Sequence, residues 1–116
     1  MAKGACDVQF VHKDKVERIK RKIQDIDLLN RMSEIFKVLG DPARLKIVIC
    51  LEMEELCVCD IEALTQISQS SVSHHLKILR QMNIVKYRRS GKMSFYALSD
   101  SHISALIAIS RDHTLE

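Results

Sequence analysis

Residues 60–98 read DIEALTQISQSSVSHHLKILRQMNIVKYRRSGKMSFYAL. Three patterns follow one another in this stretch. Asp60 to Gln66 fits a short helix. Ser70 to Gln81 fits a second helix, in which Val72, Leu76 and Leu79 recur at spacings of four and three and give it one apolar face. Ile84 to Arg89 and Met93 to Leu98 are short runs of β-branched, aromatic and apolar residues on either side of Ser90-Gly91-Lys92, the pattern of a β-hairpin. Two short helices joined by a tight turn are the sequence picture of a helix-turn-helix, and a hairpin behind it is a wing. The expected fold class is therefore mainly α with a small β-hairpin, a winged helix-turn-helix.

The flanking sequence extends this frame. Gly40-Asp41-Pro42 punctuates the chain: Gly40 can end one helix, Asp41 can N-cap the next, and Pro42 suits its first position. A helix from about Pro42 to Met53 follows, with Leu45, Ile47, Val48 and Leu51 as core. Upstream, Val16, Ile19, Ile23 and Ile26 recur at helical spacing among charged residues, an amphipathic helix. Met32, Ile35, Phe36 and Leu39 continue the apolar pattern after a break near Asp25–Asp27. A last helix is expected over about Ser101 to Leu115, capped by Ser99 or Asp100. Residues 1–12 lack periodicity and read as a flexible tail, which leaves residues 13–116 for one domain.

Composition narrows the function classes. With 116 residues, 47% of them hydrophobic, the chain has room for one cored domain. No apolar run reaches the roughly 18 residues of a membrane span, and no signal-peptide core is present, so the cytoplasm and no membrane partner are expected. Four cysteines in that compartment read as reduced thiols or metal ligands. No nucleophile–base pair or cofactor motif stands out, which argues against an enzyme.

The net charge of +3 says less than its distribution. Ser70 to Tyr96 contains six basic residues (Lys77, Arg80, Lys86, Arg88, Arg89 and Lys92) and no acidic one. Such a one-signed stretch suits phosphate contacts. A recognition helix needs an apolar back and a polar front at its N-terminal end. Gln69, Ser70, Ser71, Ser73, His74 and Lys77 supply that front, Gln as a bidentate partner for adenine and Ser for bases or phosphates. Arg88, Arg89 and Lys92 at the wing can reach the neighbouring backbone or minor groove. Double-stranded DNA is the expected partner.

The runs LGDPARLKIV (39–48), ELCVCDI (55–61), SQSSVSHHLKILR (68–80) and SDSHISALIAISRDH (99–113), in order between about Met32 and Glu116, resemble the ArsR/SmtB family of metal-responsive repressors, both its zinc-sensing and its cadmium- or lead-sensing members. The resemblance implies a homodimer, joined through the N- and C-terminal helices, that binds operator DNA in its apo form and dissociates on binding a metal ion. It makes residues 13–116 a DNA-binding and dimerisation domain. One departure is Gln66, where many members carry Gly. A left-handed backbone there costs Gln a little, so a slightly rearranged turn is expected.

Asp100, His102, His113 and Glu116 are candidate metal ligands on the last helix. The two histidines are eleven residues apart, on nearly the same face but separated by roughly 16 Å along the axis. One ion cannot be held by both from a single helix. If two copies pack antiparallel, Asp100 and His102 of one meet His113 and Glu116 of the other, and two-fold symmetry makes two sites. Spacing alone reads equally well as an N-cap and two solvated histidines. The pattern Asp-x-His, then His-x-x-Glu, resembles the interhelical zinc site of zinc-sensing members at all four positions, and two imidazoles with two carboxylates suit Zn(II). The resemblance also implies a hydrogen-bond relay from His113 toward the backbone near Asn83.

Cys57 and Cys59 form a C-x-C that could be two small buried residues or, in an extended segment, two thiolates facing one soft ion. Within ELCVCD it resembles the cysteine site of cadmium, lead and arsenic sensors. Cys6 is the obvious third ligand; cadmium- and lead-sensing members usually offer two cysteines in the tail, and here Asp7 or His12 would substitute for the second. Ile61 and Glu62 stand where arsenic sensors commonly have a further Cys, so Cd(II) or Pb(II) is the expected guest. Cys50 reads as core, and His74 and His75 belong to the recognition helix. The leading functional expectation is a metal-responsive transcriptional repressor released by Zn(II) or Cd(II)/Pb(II). The alternative is a thiol-based redox-sensing repressor using Cys57, Cys59 and Cys6. A zinc-storage protein is a third reading.

Overall fold

The computed structural model describes residues 11–116. Helices α1 (Lys13–Ile23), α2 (Ile26–Leu39) and α3 (Pro42–Met53) precede a short strand β1 (Leu56–Cys57). Helices α4 (Val58–Thr65) and α5 (Gln69–Gln81) follow, then strands β2 (Val85–Ser90) and β3 (Met93–Leu98), and finally α6 (Ser101–Leu115). The chain divides into two units between Glu34 and Ile35.

The described part of the first unit holds α1 and the first turns of α2. None of the α1 residues is buried, and its apolar stripe of Val16, Ile19 and Ile23 is exposed. The break after α1 has a local cause. Asp25 accepts from the Leu28 amide through Oδ1 at 3.0 Å and from the Leu29 amide through its carbonyl at 3.1 Å, which starts α2 afresh.

In the second unit the end of α2 and the start of α3 carry residues suited to them. The Gly40 amide donates to the Phe36 carbonyl at 2.8 Å and closes α2. Asp41 then caps α3 by accepting from the Arg44 amide at 3.0 Å, with Pro42 in the first turn. Helix α3 buries Ile47, Val48 and Leu51. Against it pack Ile61 of α4, Val72, Leu76 and Leu79 of α5, Ile84, Val85, and Ile103 and Ile107 of α6, in a single core with Val38 and Leu39. Among the described residues Thr65 is the buried polar one, and it donates to the Ile61 carbonyl while accepting from the Ile67 amide.

Strands β2 and β3 form the expected hairpin, from Val85 opposite Leu98 to Ser90 opposite Met93. Gly91 in its two-residue turn has φ 63, a conformation that favours glycine. The sheet has a third strand that hydrophobic patterning did not reveal. β1 pairs antiparallel with β3, Leu56 opposite Tyr96 and Cys57 opposite Phe95, giving the order β1-β3-β2. A two-residue strand has no periodicity to detect, and only β3's open edge defines it.

Candidate functional site

Helix α5 is built as a reading head. Ser68 caps it, its Oγ accepting from the Ser71 amide at 3.3 Å. Val72, Leu76 and Leu79 are buried, while Gln69, Ser70, Ser71, Ser73, His74 and Lys77 are all exposed. The helix thus turns its apolar back to the core and leaves donors and acceptors toward solvent at its N-terminal end, where free amides attract phosphate, with the exposed Lys77 in its second half. Arg89 and Lys92 extend the positive surface onto the wing and make no ion pair among the described residues. Arg88 differs: its guanidinium is paired with Glu55 at 2.7 Å. The Arg88 hydrogen bond, opposed in part by desolvation, holds the Glu55 carboxyl below its ordinary range.

The turn ahead of α5 is set by Gln66, which has φ 63 and ψ 17 and caps α4 through its amide to the Glu62 carbonyl at 2.9 Å. The left-handed turn is kept rather than rearranged, and Gln tolerates the geometry that Gly would adopt freely. Asn83, φ 57, makes the matching turn after α5.

Behind the reading head, sequence reasoning missed a polar junction. Arg44 donates from Nε to the Val38 carbonyl at 2.9 Å, and its Nη1 approaches Nδ1 of His75 at 3.5 Å. Arg44 thereby ties the end of α2 to α3 and α5. Burial pushes the His75 imidazole below 6.5, Asp41 opposes this, and Arg44 and His74 add to it. Since a guanidinium offers no lone pair, Nδ1 would be the acceptor in this contact whenever the His75 ring is neutral. The sequence signal was the Arg44 and His75 pair within the quoted motifs, but 31 positions separate them and only packing joins them.

The candidate ligands of α6 sit at its two ends, all exposed. Asp100 Oδ1 caps the helix, accepting from the amides of His102 at 3.0 Å and Ile103 at 3.4 Å. Its Oδ2 lies 3.5 Å from His102 Nδ1. Asp100 is therefore both N-cap and partner of His102. His113 and Glu116 are in and just beyond the last turn. Among the described residues no three His, Cys, Asp or Glu side chains come together within one chain. Nor does any hydrogen bond among those residues join His113 to Asn83.

The two cysteines of the C-x-C do not share an extended segment. Helix α4 begins at Val58, so Cys57 precedes the helix in β1 and is buried, whereas Cys59 lies in its first turn and is exposed. The cause is Asp60, which accepts from both the Cys57 amide at 3.2 Å and the Cys57 thiol at 3.1 Å, folding the chain into a helix start. The Gln69 side chain reaches the Cys59 sulfur at 3.9 Å, so this thiol adjoins the reading head. Cys50 is half-buried rather than fully in the core. Cys6 and Asp7 lie outside the described residues; His12 is described and exposed.

The sequence profile described as bacterial regulatory protein, arsR family, matches residues 41–87, from the α3 cap to the wing. The chain is 40% identical over 111 residues to a transcriptional repressor SmtB homolog of Synechocystis, covering 96% of this chain and 84% of that one. The chain belongs to the arsR family. A cadmium resistance transcriptional regulatory protein CadC homolog of Staphylococcus aureus is 39% identical over 108 residues, 92% of this chain and 88% of that one. Among solved structures, the homodimeric winged helix-turn-helix DNA-binding domain of a Mycobacterium bovis protein superposes with a TM-score of 0.72 at 26% identity, covering 81% of this chain and 90% of that chain. As an arsR-family member the chain is a winged-helix transcriptional regulator that binds DNA, and not an enzyme. Among the described residues no helix is long and apolar enough to cross a membrane.

Proposed function

We propose that this arsR-family chain is a homodimeric repressor that holds operator DNA in its metal-free form and releases it on binding Zn(II), or Cd(II) or Pb(II). The observation that carries the reading is the division of α6. Asp100 and His102 stand within 3.5 Å of each other at its start, and His113 and Glu116 are exposed at its end. Each pair is too few for a closed tetrahedral site, and each is the complement of the other. An antiparallel second copy of α6 would supply the missing half twice over. The relatives' names, a SmtB homolog and a cadmium resistance regulator, support a metal effector.

Gln69, Ser70, Ser71, Ser73, His74 and Lys77 read or anchor the major groove, and Arg89 and Lys92 hold the flanking backbone. Arg88 joins them when its pair with Glu55 opens. Cys57, Cys59 and Cys6 form a softer second site, for which Cys57 must leave Asp60. A metal that weakens DNA affinity binds more weakly to the DNA complex by the same factor, so metal and operator compete through the dimer.

The test is a titration of Zn(II) and of Cd(II) into the wild type, His102→Ala and Cys57→Ser, each bound to DNA from upstream of its own gene under reducing conditions. Wild type is expected to leave the DNA with both metals, His102→Ala to lose the zinc response, and Cys57→Ser the cadmium response. A wild type that neither metal removes would sink the metal-sensing reading. Release by oxidant with metal chelated would favour the disulfide alternative.

A further inference from the structure

We propose that Glu55 is a latch on the wing: it holds Arg88 against the sheet and withholds that cation from DNA phosphates, so that it sets the strength and salt dependence of DNA binding. The inference rests on the DNA-binding reading and adds to it a residue that restrains the interface from outside.

The sequence from Ser70 to Tyr96 contains no acid of its own, yet one of its wing arginines is neutralised. The acid comes from 33 positions upstream, delivered by β1. Pairing of Leu56 with Tyr96 and Cys57 with Phe95 continues outward to bring Glu55 beside Ala97, whose partner on β2 is Lys86. Arg88 is two residues on from Lys86, on the same face. Ala97 is small, and a cleft lined by Glu55, Lys86, Tyr87, Arg88 and Ala97 lies over it. The Glu55 side chain crosses β3 at this point to reach β2.

The contact is specific in geometry. Arg88 Nε lies 3.1 and 3.0 Å from the two Glu55 carboxylate oxygens, and Nη2 donates to Oε1 at 2.7 Å. The guanidinium carbon stands 5.0 Å from the centre of the Phe95 ring, Phe95 being directly opposite Arg88 on β3. Carboxylate and ring thus fix the guanidinium to the sheet. A phosphate competing for Arg88 must displace a bidentate carboxylate, which is a strong, oriented partner, whereas a phosphate meeting Arg89 or Lys92 displaces only water and counterions. Exposed ion pairs add little to folding stability. The pair therefore changes the DNA-facing charge far more than it changes the fold.

The experiment measures the affinity of the full chain for a short mixed-sequence duplex across a range of salt concentrations, for wild type, Glu55→Gln, Arg88→Gln and the double variant. Glu55→Gln keeps the side-chain size and removes the charge. It is expected to bind more tightly than wild type and to steepen the slope of log affinity against log salt by about 0.9 for each wing on the DNA, one added phosphate contact. Arg88→Gln is expected to cost more in the Glu55→Gln background than in wild type, and the double variant to lose the gain. Weaker binding by Glu55→Gln, an unchanged slope, or an equal cost of Arg88→Gln in both backgrounds would overturn the latch. Thermal unfolding of each variant separates loss of fold from loss of contact. A wild type that holds no duplex at low salt would overturn the DNA-binding reading itself, and the latch with it.

Discussion

At the scale of single residues, backbone conformation sets what Gln66 costs. A side chain at φ 63 carries the clash between Cβ and the backbone that makes the left-handed region unfavourable by roughly 1–2 kcal/mol. Its exposed amide returns a bond to the Ala63 carbonyl at 3.1 Å, which offsets only part of this. Gln66→Gly relieves the strain but gives the unfolded chain more freedom. The net expectation is a gain of up to about 1 kcal/mol, read as a higher urea midpoint at unchanged slope. Asn83 is the control. Asn adopts φ 57 more readily than most residues, so Asn83→Gly should move the midpoint little. The family resemblance marked position 66 as a place where many members carry glycine. That the chain keeps the turn and bears the strain was not legible in the sequence, because local preference does not say whether the packing of α4 and α5 outweighs it.

At the scale of elements, helices and hairpin were legible wherever a period or a cap could be read. Asp41, Pro42 and Asp100 mark helix starts by chemistry that acts within three residues, and the α5 face repeats often enough to be seen. What stayed hidden was set by partners distant in sequence: β1, the Glu55–Arg88 pair and the Arg44–His75 junction. That junction has a consequence for the α3–α5 packing. The folded chain holds His75 below 6.5, chiefly by burial, so as pH falls the unfolded chain takes up that proton first. Stability from this group is whole well above pH 6.5 and declines as the pH drops through it. His75→Gln keeps an acceptor for Arg44 and removes the titration. The difference in melting temperature between His75→Gln and wild type, followed from about pH 8 down to pH 5, should shift in favour of the variant on the acid side. A difference that stays constant with pH would remove His75 from the account. The same helix pair predicts that Leu76→Ala, emptying a buried position, costs about 2–5 kcal/mol, with DNA binding lost in proportion to folding.

At the scale of the whole molecule, a single chain leaves much apolar surface in water. In the first unit Val16, Ile19 and Ile23 line one face of α1, all exposed. In the second, Ile109 and Leu115 on α6 are 67% and 78% exposed. An exposed apolar stripe such as that of α1 suits packing against another helix, and the candidate ligands of α6 would make the same demand by chemistry. In the sequence the second demand was an expectation from the family resemblance, to which helix geometry added that two histidines eleven residues apart cannot share an ion on one rod. The sequence could not identify which copy supplies which ligand, and subunit mixing decides that. His102→Ala spoils one half of every site in its homodimer, and His113→Ala spoils the other half. In a mixed dimer one site loses both histidines while the other keeps both, one from each chain. Refolding the two variants together at equal amounts makes mixed dimers about half of the total, each with one working site of two. The mixture should recover about a quarter of the wild-type zinc capacity of the α6 sites, from parents in which those sites each hold almost none. Zinc titration with a competing chelator reads the count directly. A site built within one chain would give no recovery on mixing, since neither variant holds a complete set. Recovery near a quarter requires that the ligands of α6 meet across two copies of the chain, with the regulator complete only as a dimer.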